Sequence, residues 1–381
     1  MGTQLVTADK LNIRNSPKVD STFANWVGDM NRGETFTAVN TVKGDMIDGV
    51  DDWHVDALNR YVWAGGATNL PTDFDVTKMS WGHQYYNIPG IWHDLNTGGQ
   101  NVTVAVIDTG ADQSHPDLID NIITAPSKDW TGGNNPFNDQ KGHGTQMAGM
   151  IAASGKSLVY GVSPAASLII LKASTFAQGL DAPNFVPAIQ YATSLPQVDI
   201  ISISYSFFDS SDQSPIHPVL PQFIQAVKDA LGAGKMVVAA IGDIHQANPD
   251  PDTYPSSITN VPPDTSMVLS IGSFEPGGNV WKHSQYNDHL CFLVPGDDNM
   301  LTTQINNTTA PGSDTSIATA FTSGCLALLL SYARRNQINQ SDLLNAIHST
   351  CVPLPNPPNP ALSFGWGKLD LQAAITKLKA P

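Results

Sequence analysis

The chain has few cysteines and no long apolar run, and each shortage removes a class of protein. Its three cysteines, Cys291, Cys325 and Cys351, are too few and too scattered for a disulfide framework or a zinc site. The longest apolar run covers only residues 325–330, far short of the roughly 20 residues that a membrane span requires. No apolar signal segment follows Met1. We therefore expect a protein that has no membrane span and requires no cofactor.

Positive charge is also scarce. Lys and Arg together number 19 against 34 Asp and Glu, which gives a formal net charge of −15. The phosphates of a nucleic acid would repel such a chain, so we expect no nucleic-acid partner. A high net charge commonly serves solubility, and the alternative is that it steers cationic substrates towards the protein.

Short β-rich segments separated by turns occupy residues 1–67, and this spacing favours a small barrel. The segment LNIR at residues 11–14, Trp53 and the segment YVW at residues 61–63 resemble a bacterial SH3-type domain. The resemblance implies an all-β domain that binds a peptide, with Trp53 and Trp63 as candidates to line its groove. The alternative is an accessory barrel that only packs on its neighbour, in which both tryptophans are core residues.

The pattern changes after a connector at residues 68–90. From Asn101 onward, apolar strands alternate with helices, which is typical of a parallel sheet covered on both faces. We therefore predict three parts: a small all-β barrel at residues 1–67, the connector at 68–90, and an α/β domain at 91–381. The α/β domain is expected to have three layers around a largely parallel sheet.

Three short segments of the α/β part carry reactive side chains. The segment VAVIDTG at residues 104–110 places Asp108 at the end of an apolar strand. The segments GHGT at 142–145 and DTSIA at 314–318 place His143 and Ser316 at the starts of helices. An acid, a base and a nucleophile can form a catalytic triad. Taken singly, they are also explained as a structural acid, a core histidine and a helix-capping serine.

The order Asp, His, Ser and the flanking residues resemble the subtilisin-like serine peptidases, the subtilases. The segment HPDL at residues 115–118 matches a further element of that family. The resemblance covers about residues 80–377, and it implies a subtilisin-like three-layer fold that hydrolyses peptide bonds. It implies that Ser316 attacks the substrate, His143 transfers the proton and Asp108 orients His143. It also favours a secreted or periplasmic protein.

Two acids stand where this family has other residues. Asp314 replaces the usual Gly, and adds a side chain and a charge beside the nucleophile. Asp243 replaces the usual Asn of the oxyanion hole, which the resemblance assigns to Asp243 and the Ser316 N–H. An ionised carboxylate cannot donate to an oxyanion, so a slow enzyme is one expectation. The other is that a protonated Asp243 donates while His143 stays neutral, which restricts activity to a narrow, mildly acidic pH range.

The resemblance also assigns two walls to the substrate site. They consist of Ser204, Tyr205, Ser206, Ala240, Ile241 and Gly242. Tyr205 and Ser206 replace smaller or more flexible residues, so we expect a narrowed first pocket. Asp250 and Asp252 follow in the next loop, and either would favour a basic substrate side chain if it lined the pocket. The alternative is that this loop is a solvated turn.

Subtilases often hold structural Ca²⁺, and Asp117 matches a ligand position of the family. The loop at residues 154–157 lacks the usual Asn and contributes Lys156, whose charge opposes a cation. We therefore expect this calcium site to be absent or weak.

These observations predict one function and leave two alternatives. We predict a serine endopeptidase that acts on a peptide or protein substrate through an acyl-enzyme on Ser316. The first alternative is a degenerate subtilase that binds peptides without cutting them. The second is a peptidase dedicated to processing or ligating one partner.

Overall fold

Two compact units make up the chain, Met1–Asn96 and Thr97–Pro381. The computed structural model describes residues 3–7, 11–22, 24–30, 35–47, 50–64, 67–69, 74–176, 181–208, 216–244, 250–258, 267–354 and 364–380. The three-part division predicted at residues 67 and 90 stays a prediction.

The first unit is built mainly from short antiparallel strands. They are β1 Thr3–Thr7, β2 Leu11–Arg14, β3 Trp26–Met30, β4 Thr35–Ala38, β5 Asn40–Ile47, β6 Val50–Val55, β7 Tyr61–Trp63 and β8 Ala67–Asn69. One sheet has the order β4-β1-β8 and the other the order β3-β2-β7-β6-β5. A short 3₁₀ helix at Val76–Lys78 and the helices α1 Trp81–Tyr85 and α2 Ile88–Leu95 complete the unit. The predicted all-β N-terminal region is confirmed for the strands, whereas the two helices were not expected.

The core of this unit contains Trp53, which is 1% exposed and donates its indole N–H to the Asp45 carbonyl oxygen at 3.0 Å. Val62 is fully buried. The burial of Trp53 agrees with the core alternative for this residue, while Trp63 is only partly buried. The SH3-like identity of the unit and its peptide ligand stay predictions.

A seven-stranded parallel sheet forms the centre of the second unit. Its strands are β9 Thr103–Asp108, β10 Lys128–Asp129, β11 Ser167–Lys172, β12 Ile200–Ile203, β14 Met236–Ala240, β16 Val268–Phe274 and β17 Phe292–Pro295. They lie in the order β10-β11-β9-β12-β14-β16-β17, with parallel pairing throughout. Every residue of β9 is buried, as expected when helices cover both faces of a sheet. The remaining strands form two antiparallel pairs, β13 Phe207–Phe208 with β15 Thr253–Tyr254, and β18 Met300–Gln304 with β19 Thr308–Gly312.

Helices cover the two faces of this sheet. They are α3 His143–Ala152, α4 Ala182–Ser194, α5 Leu220–Gly232, α6 Asp314–Arg335, α7 Gln340–Thr350 and α8 Leu371–Lys379, with a 3₁₀ helix at His217–Val219. Ala105 and Ile107 of β9 share a core cluster with residues of α4 and α5. Because side chains alternate along a strand, Val104 and Val106 point to the opposite face, where α3 and α6 pack. The predicted three-layer α/β fold with a largely parallel sheet is confirmed.

The central strands bring the reactive segments together. The order β9-β12-β14 is parallel, so the ends of these strands meet at one edge of the sheet. Asp108 is the last residue of β9, Ser204 follows β12, and Ala240 ends β14. Helix α3 begins at His143, and α6 begins two residues before Ser316.

Helix α6 is also the one helix in the described ranges that is long and apolar enough to cross a membrane. Within its most apolar window 89% of the residues are buried inside the structure. This burial is that of a core helix, and it supports no membrane span.

Candidate active site

A buried acid holds the imidazole of His143. The Nδ1 atom of His143 lies 2.7 Å from Oδ1 of Asp108, and Asp108 is 1% exposed. Oδ1 also accepts the Thr109 N–H at 2.7 Å. Such a bond fixes Nδ1 as the protonated nitrogen and leaves Nε2 to act as the base. Gly144 lets the start of helix α3 lie close to the segment after Asp108, because a Cβ at residue 144 would overlap the Gly110 carbonyl oxygen.

Asp139 holds the start of helix α3 in place, and the sequence analysis did not single it out. Its Oδ1 accepts the Thr109 hydroxyl and the Gly142 N–H, both at 2.9 Å. Its Oδ2 accepts the N–H and the hydroxyl of Thr145 at 2.9 and 2.7 Å. One carboxylate thus joins the residue after Asp108 to both sides of His143. In the sequence, only its position four residues before His143 could have indicated this role of Asp139.

Ser316 lies at the third position of α6 and faces the substrate wall that was predicted to begin at Ser204. Its hydroxyl donates to the Ser204 carbonyl oxygen at 3.1 Å, and the Ser204 hydroxyl donates to the Ser316 carbonyl oxygen at 3.0 Å. The first amides of a helix have no acceptor within it, so this position offers N–H groups to an anion.

A cavity of about 260 Å³ joins most of the predicted site residues. It is lined by His143, Phe176, Asp181, Ser204, Tyr205, Ser206, Phe207, Ala240, Asp243 and Ser316. The structure thus brings His143, Ser316, Asp243 and four of the six predicted wall residues to one space. Phe176, Asp181 and Phe207 were missed by the sequence analysis, because nothing near them in sequence marks them as site residues.

The other two predicted wall residues, Ile241 and Gly242, are not among the residues that line this cavity. Ile241 is fully buried, and its carbonyl oxygen accepts the Thr253 hydroxyl at 2.7 Å. A Cβ at Gly242 would overlap Oε1 of Gln285 and would lie 3.3 Å from Oγ of Ser206. Both residues are thus closely packed, and the narrow first pocket stays a prediction.

Neither acid of the following loop lines the cavity. Asp250 is buried, and its Oδ2 accepts the Tyr286 N–H at 3.0 Å. Oδ1 of Asp252 lies 3.3 Å from Nε2 of His289. The structure therefore supports neither Asp250 nor Asp252 as a carboxylate at the bottom of a pocket for a basic substrate side chain.

Asp243 lies beside the start of α6. Its Oδ1 accepts the Thr315 N–H at 2.7 Å. Burial of the carboxyl group, together with the charge of Asp314, raises the pKa of Asp243 to about 6, against the Thr315 N–H and the His143 charge, which both lower it. A carboxyl group with this pKa changes its charge near neutral pH.

His143 is surrounded by acids. Burial is the largest effect on its imidazole and opposes protonation, but Asp108, Asp139 and Asp243 together outweigh it. The pKa of His143 is therefore raised above the ordinary histidine value. Because the base must be neutral to accept a proton, activity that depends on it will be lost below this raised pKa.

Asp314 adopts a backbone conformation that suits the glycine of the family motif. Its φ is +73°, in the left-handed region that disfavours residues with a Cβ. Burial raises the pKa of the Asp314 carboxyl, and the charge of Asp298 adds to the effect. The departure from the family pattern thus places a strained, partly buried acid two residues before Ser316.

Asp117, the calcium-ligand position in the family, is engaged by backbone amides. Its Oδ1 accepts the Ser157 N–H at 2.6 Å, and its Oδ2 accepts the N–H groups of Leu158 and Val159 at 2.7 and 3.0 Å. Lys156 in the same loop pairs with Asp120 at 2.6 Å. These residues do not fit a calcium ion, because both oxygens of Asp117 already receive N–H donors. Among the described residues, no group of three or more His, Cys, Asp or Glu could hold a metal ion.

Comparisons with known proteins agree with this geometry. The profile of the Subtilase family matches residues 99–367, which is most of the second unit. The chain belongs to the subtilase family. The major intracellular serine protease of Bacillus subtilis (strain 168) is 32% identical to this subtilase over 287 residues, covering 74% of this chain and 85% of that protein. The intracellular serine protease of Paenibacillus polymyxa is 30% identical over 291 residues, covering 74% and 83%.

A solved structure is also similar to this subtilase. The Prenylagaramide maturation protease PagA superimposes with a TM-score of 0.60 and 25% identity, covering 77% of this chain and 98% of that one. Together with the named relatives, the family match identifies the chain as a subtilisin-like serine protease. Its substrate is therefore a peptide or a protein.

The strain at Asp314 predicts a difference between two substitutions. Asp314→Gly and Asp314→Ala remove the same charge, but only glycine accepts a positive φ without cost. We expect the Gly variant to be more stable than the Ala variant by about 1 kcal/mol, measured by urea unfolding. Equal stabilities would show that the left-handed conformation at residue 314 carries no strain.

The amide bonds to Asp117 predict that calcium does not stabilise this unit. We expect EDTA to leave the melting temperature unchanged. Asp117→Asn should lower the melting temperature by several degrees, because hydrogen bonds to a charged group contribute about 1.5–3 kcal/mol each.

The matched control is Asp120→Asn, which removes only the exposed pair with Lys156 and should have little effect. A large drop on adding EDTA, reversed by Ca²⁺, would contradict the prediction.

Proposed function

We propose that this subtilase is an endopeptidase that hydrolyses peptide bonds through an acyl-enzyme on Ser316. The observation that carries the proposal is the 2.7 Å contact between His143 and the buried Asp108, on the cavity that Ser316 also borders. Sequence order and flanking residues support the same three roles.

The proposed reaction uses the hydroxyl of Ser316 as nucleophile. Oγ bonds to the carbonyl carbon of the substrate while its proton moves to Nε2 of His143. The C–N bond then breaks, and the same proton goes to the leaving amine. Water next attacks the acyl-enzyme, gives a proton to His143 and releases the acid product, and Ser316 regains its proton. Asp108 stays ionised and stabilises the imidazolium.

The hydroxyl of Ser316 must turn before it can react, because it donates to the Ser204 carbonyl oxygen. Catalytic hydrogen bonds commonly tighten only when substrate binds. A substrate chain that pairs with the Ser204 wall would compete for that carbonyl region and release the hydroxyl towards His143. The same contact, taken alone, favours the alternative of a subtilase that binds peptides without cutting them.

A fluorophosphonate probe separates the enzyme from the peptide-binding alternative. We expect the probe to label the wild-type chain covalently at Ser316, and labelling to vanish in Ser316→Ala. Ser313→Ala is the matched control, because it alters a serine of the same segment outside the triad, and it should keep its labelling. Absence of labelling in the wild type at every pH tested would exclude the proposed nucleophile.

We further propose that Asp243 acts in its protonated form as the side-chain donor of the oxyanion hole. Oδ1 accepts the Thr315 N–H and Asp243 borders the cavity, so in the proposed role Oδ2 carries the proton. The pKa of about 6 supports this role, because the neutral form is accessible in mildly acidic solution. The Ser316 N–H would supply the second donor.

This role gives a distinctive pH dependence. Neutral His143 requires a pH above its raised pKa, whereas protonated Asp243 requires a pH below about 6. Only a minor fraction of the molecules has a neutral His143 and a protonated Asp243 at the same time. We therefore expect kcat/KM of the wild type to be low and to peak in a narrow, mildly acidic pH range. The charge of each group shifts the pKa of the other, so the acid and alkaline limbs of the profile belong to the pair and not to either residue alone.

Asp243→Asn tests the role directly. An amide donates at every pH, so the alkaline fall should disappear and kcat/KM at pH 8 should rise about 10²-fold, the size of the loss when subtilisin loses its amide donor. The acid limb should move to lower pH, because one of the charges that raise the pKa of His143 is gone. The measurement is kcat/KM from pH 5 to 9 with a peptide substrate.

The control is Asp314→Asn, which removes a neighbouring charge but keeps the carboxyl at residue 243. In this variant kcat/KM should still fall as the pH rises. The fall should occur at lower pH than in the wild type, because Asp314 raises the pKa of Asp243 and its charge is now gone. If Asp243→Asn neither raises activity nor extends the profile upward, Asp243 is not the oxyanion donor.

The processing alternative is favoured by the similarity to the Prenylagaramide maturation protease PagA. We propose as a second candidate that this subtilase cuts or ligates one dedicated precursor. Product masses distinguish the cases: hydrolysis adds one water to the summed products, and ligation does not.

A further inference from the structure

Three side chains form a hydrogen-bonded chain that ends on a ring beside His143. The Tyr205 hydroxyl donates to Oγ of Ser174 at 2.6 Å, and the Ser174 hydroxyl donates to Oδ2 of Asp181 at 2.8 Å. Ser174 is fully buried, and Asp181 is 6% exposed. The triad and the oxyanion hole described above use none of these three groups.

The direction of this chain is fixed by the number of donors. A serine hydroxyl has one proton and two acceptor sites. The Ser174 proton goes to Asp181, while its oxygen accepts the Tyr205 hydroxyl and the Phe176 N–H at 2.9 Å. Burial raises the pKa of the Tyr205 phenol, so this hydroxyl keeps its proton and acts as a donor. Every hydrogen-bonding site of Ser174 is therefore used.

Asp181 anchors the far end of the chain. Besides the Ser174 hydroxyl, its Oδ2 accepts the Thr175 N–H at 3.0 Å. A buried carboxylate without such donors would be costly, so these contacts hold the segment 174–176 to the start of helix α4. Loss of one member leaves the others with unpaired polar atoms.

Two aromatic rings from this arrangement confine the imidazole. The Tyr205 ring lies 5.8 Å from the His143 ring at an interplanar angle of 78°, and the Phe176 ring lies 5.0 Å from it at 89°. Tyr205 and Phe176 also contact each other at 5.4 Å. Asp108 holds only one nitrogen of the imidazole. The contacts with the rings of Phe176 and Tyr205 add a second restraint on its orientation.

We propose that Asp181 and Ser174 are positioning residues for catalysis, which act through the rings of Tyr205 and Phe176 to hold His143 towards Ser316. Ser174 fixes Tyr205 by its hydroxyl and Phe176 by its main chain, so both rings depend on one side chain. This inference rests on the proposed role of His143 as the base.

A competing explanation is that the three residues only stabilise the fold. In that case their loss would lower the melting temperature and the amount of active enzyme, without changing the turnover of each correctly folded molecule. The two explanations therefore differ in kcat per labelled site.

Tyr205→Phe is the sharpest variant, because it keeps the ring and removes only the hydroxyl that reaches Ser174. We expect kcat per fluorophosphonate-labelled site to fall about tenfold and KM to change less than twofold. Ser174→Ala should have a similar effect. The double variant should be no slower than the slower single variant, because both substitutions break one chain.

Tyr191→Phe is the matched control, since the Tyr191 ring packs on Trp130 at 5.5 Å, away from the cavity. It should keep the wild-type kcat. Equal kcat in wild type and Tyr205→Phe, or additive effects in the double variant, would overturn the inference.

A second measurement does not depend on turnover. In full-length protein with isotope-labelled histidine, the His143 ring signal should be broadened or shifted in Tyr205→Phe and unchanged in Tyr191→Phe. An unchanged signal in Tyr205→Phe would overturn the inference even if no peptide is cleaved. Failure of the fluorophosphonate probe to label Ser316 would instead reject the proposed function.

Discussion

The contact between Asp108 and His143 is the constraint on which the rest of the site depends. It requires a carboxylate with almost no exposure at the end of the central strand β9. Such a charge is costly to bury without donors, and here the imidazole and the Thr109 N–H both donate to Oδ1. Asp139 then ties Thr109 to the start of α3, so the acid, the base and their supporting strand and helix form one hydrogen-bonded unit.

The cost of this arrangement is an accumulation of negative charge around one imidazole. Asp108, Asp139 and Asp243 all favour its protonated form, which opposes its use as a base. The base is therefore lost at a higher pH than it would be in an isolated histidine. The aromatic rings of Phe176 and Tyr205 act on a different property of the same group, since they limit where the imidazole points without adding charge.

Local patterns were sufficient to predict the elements that carry the triad. The sequence predicted a strand that ends at Asp108 and a helix that starts at His143, and β9 ends at Asp108 and α3 begins at His143. Helix α4 begins at Ala182 and contains Pro183 in its first turn, where proline is tolerated. The two helices after residue 80 were missed, because they are only 5 and 8 residues long.

The supporting contacts of the site could not be predicted in this way. Ser174 and Tyr205 are 31 residues apart, and Thr109 and Asp139 are 30 apart, on elements that only the folded sheet brings together. Serine, threonine and aspartate are common in loops. The sequence therefore does not distinguish the residues that support the site from loop residues of the same types that face solvent. Sequence motifs identify the candidate reacting groups, whereas the groups that orient them are recognised only from tertiary contacts.

The two departures from the family pattern meet at one residue, Thr315. Its N–H is bound by Asp243, and its position is set by the left-handed backbone of Asp314 just before it. Burial raises the pKa of Asp243 to about 6, and the charge of Asp314 contributes to this rise. A lone acid at residue 243 would be ionised over more of the pH range and would repel an oxyanion. In the role proposed for Asp243, the charge of Asp314 favours the protonated form of this acid, so the two substitutions would act together on the oxyanion hole.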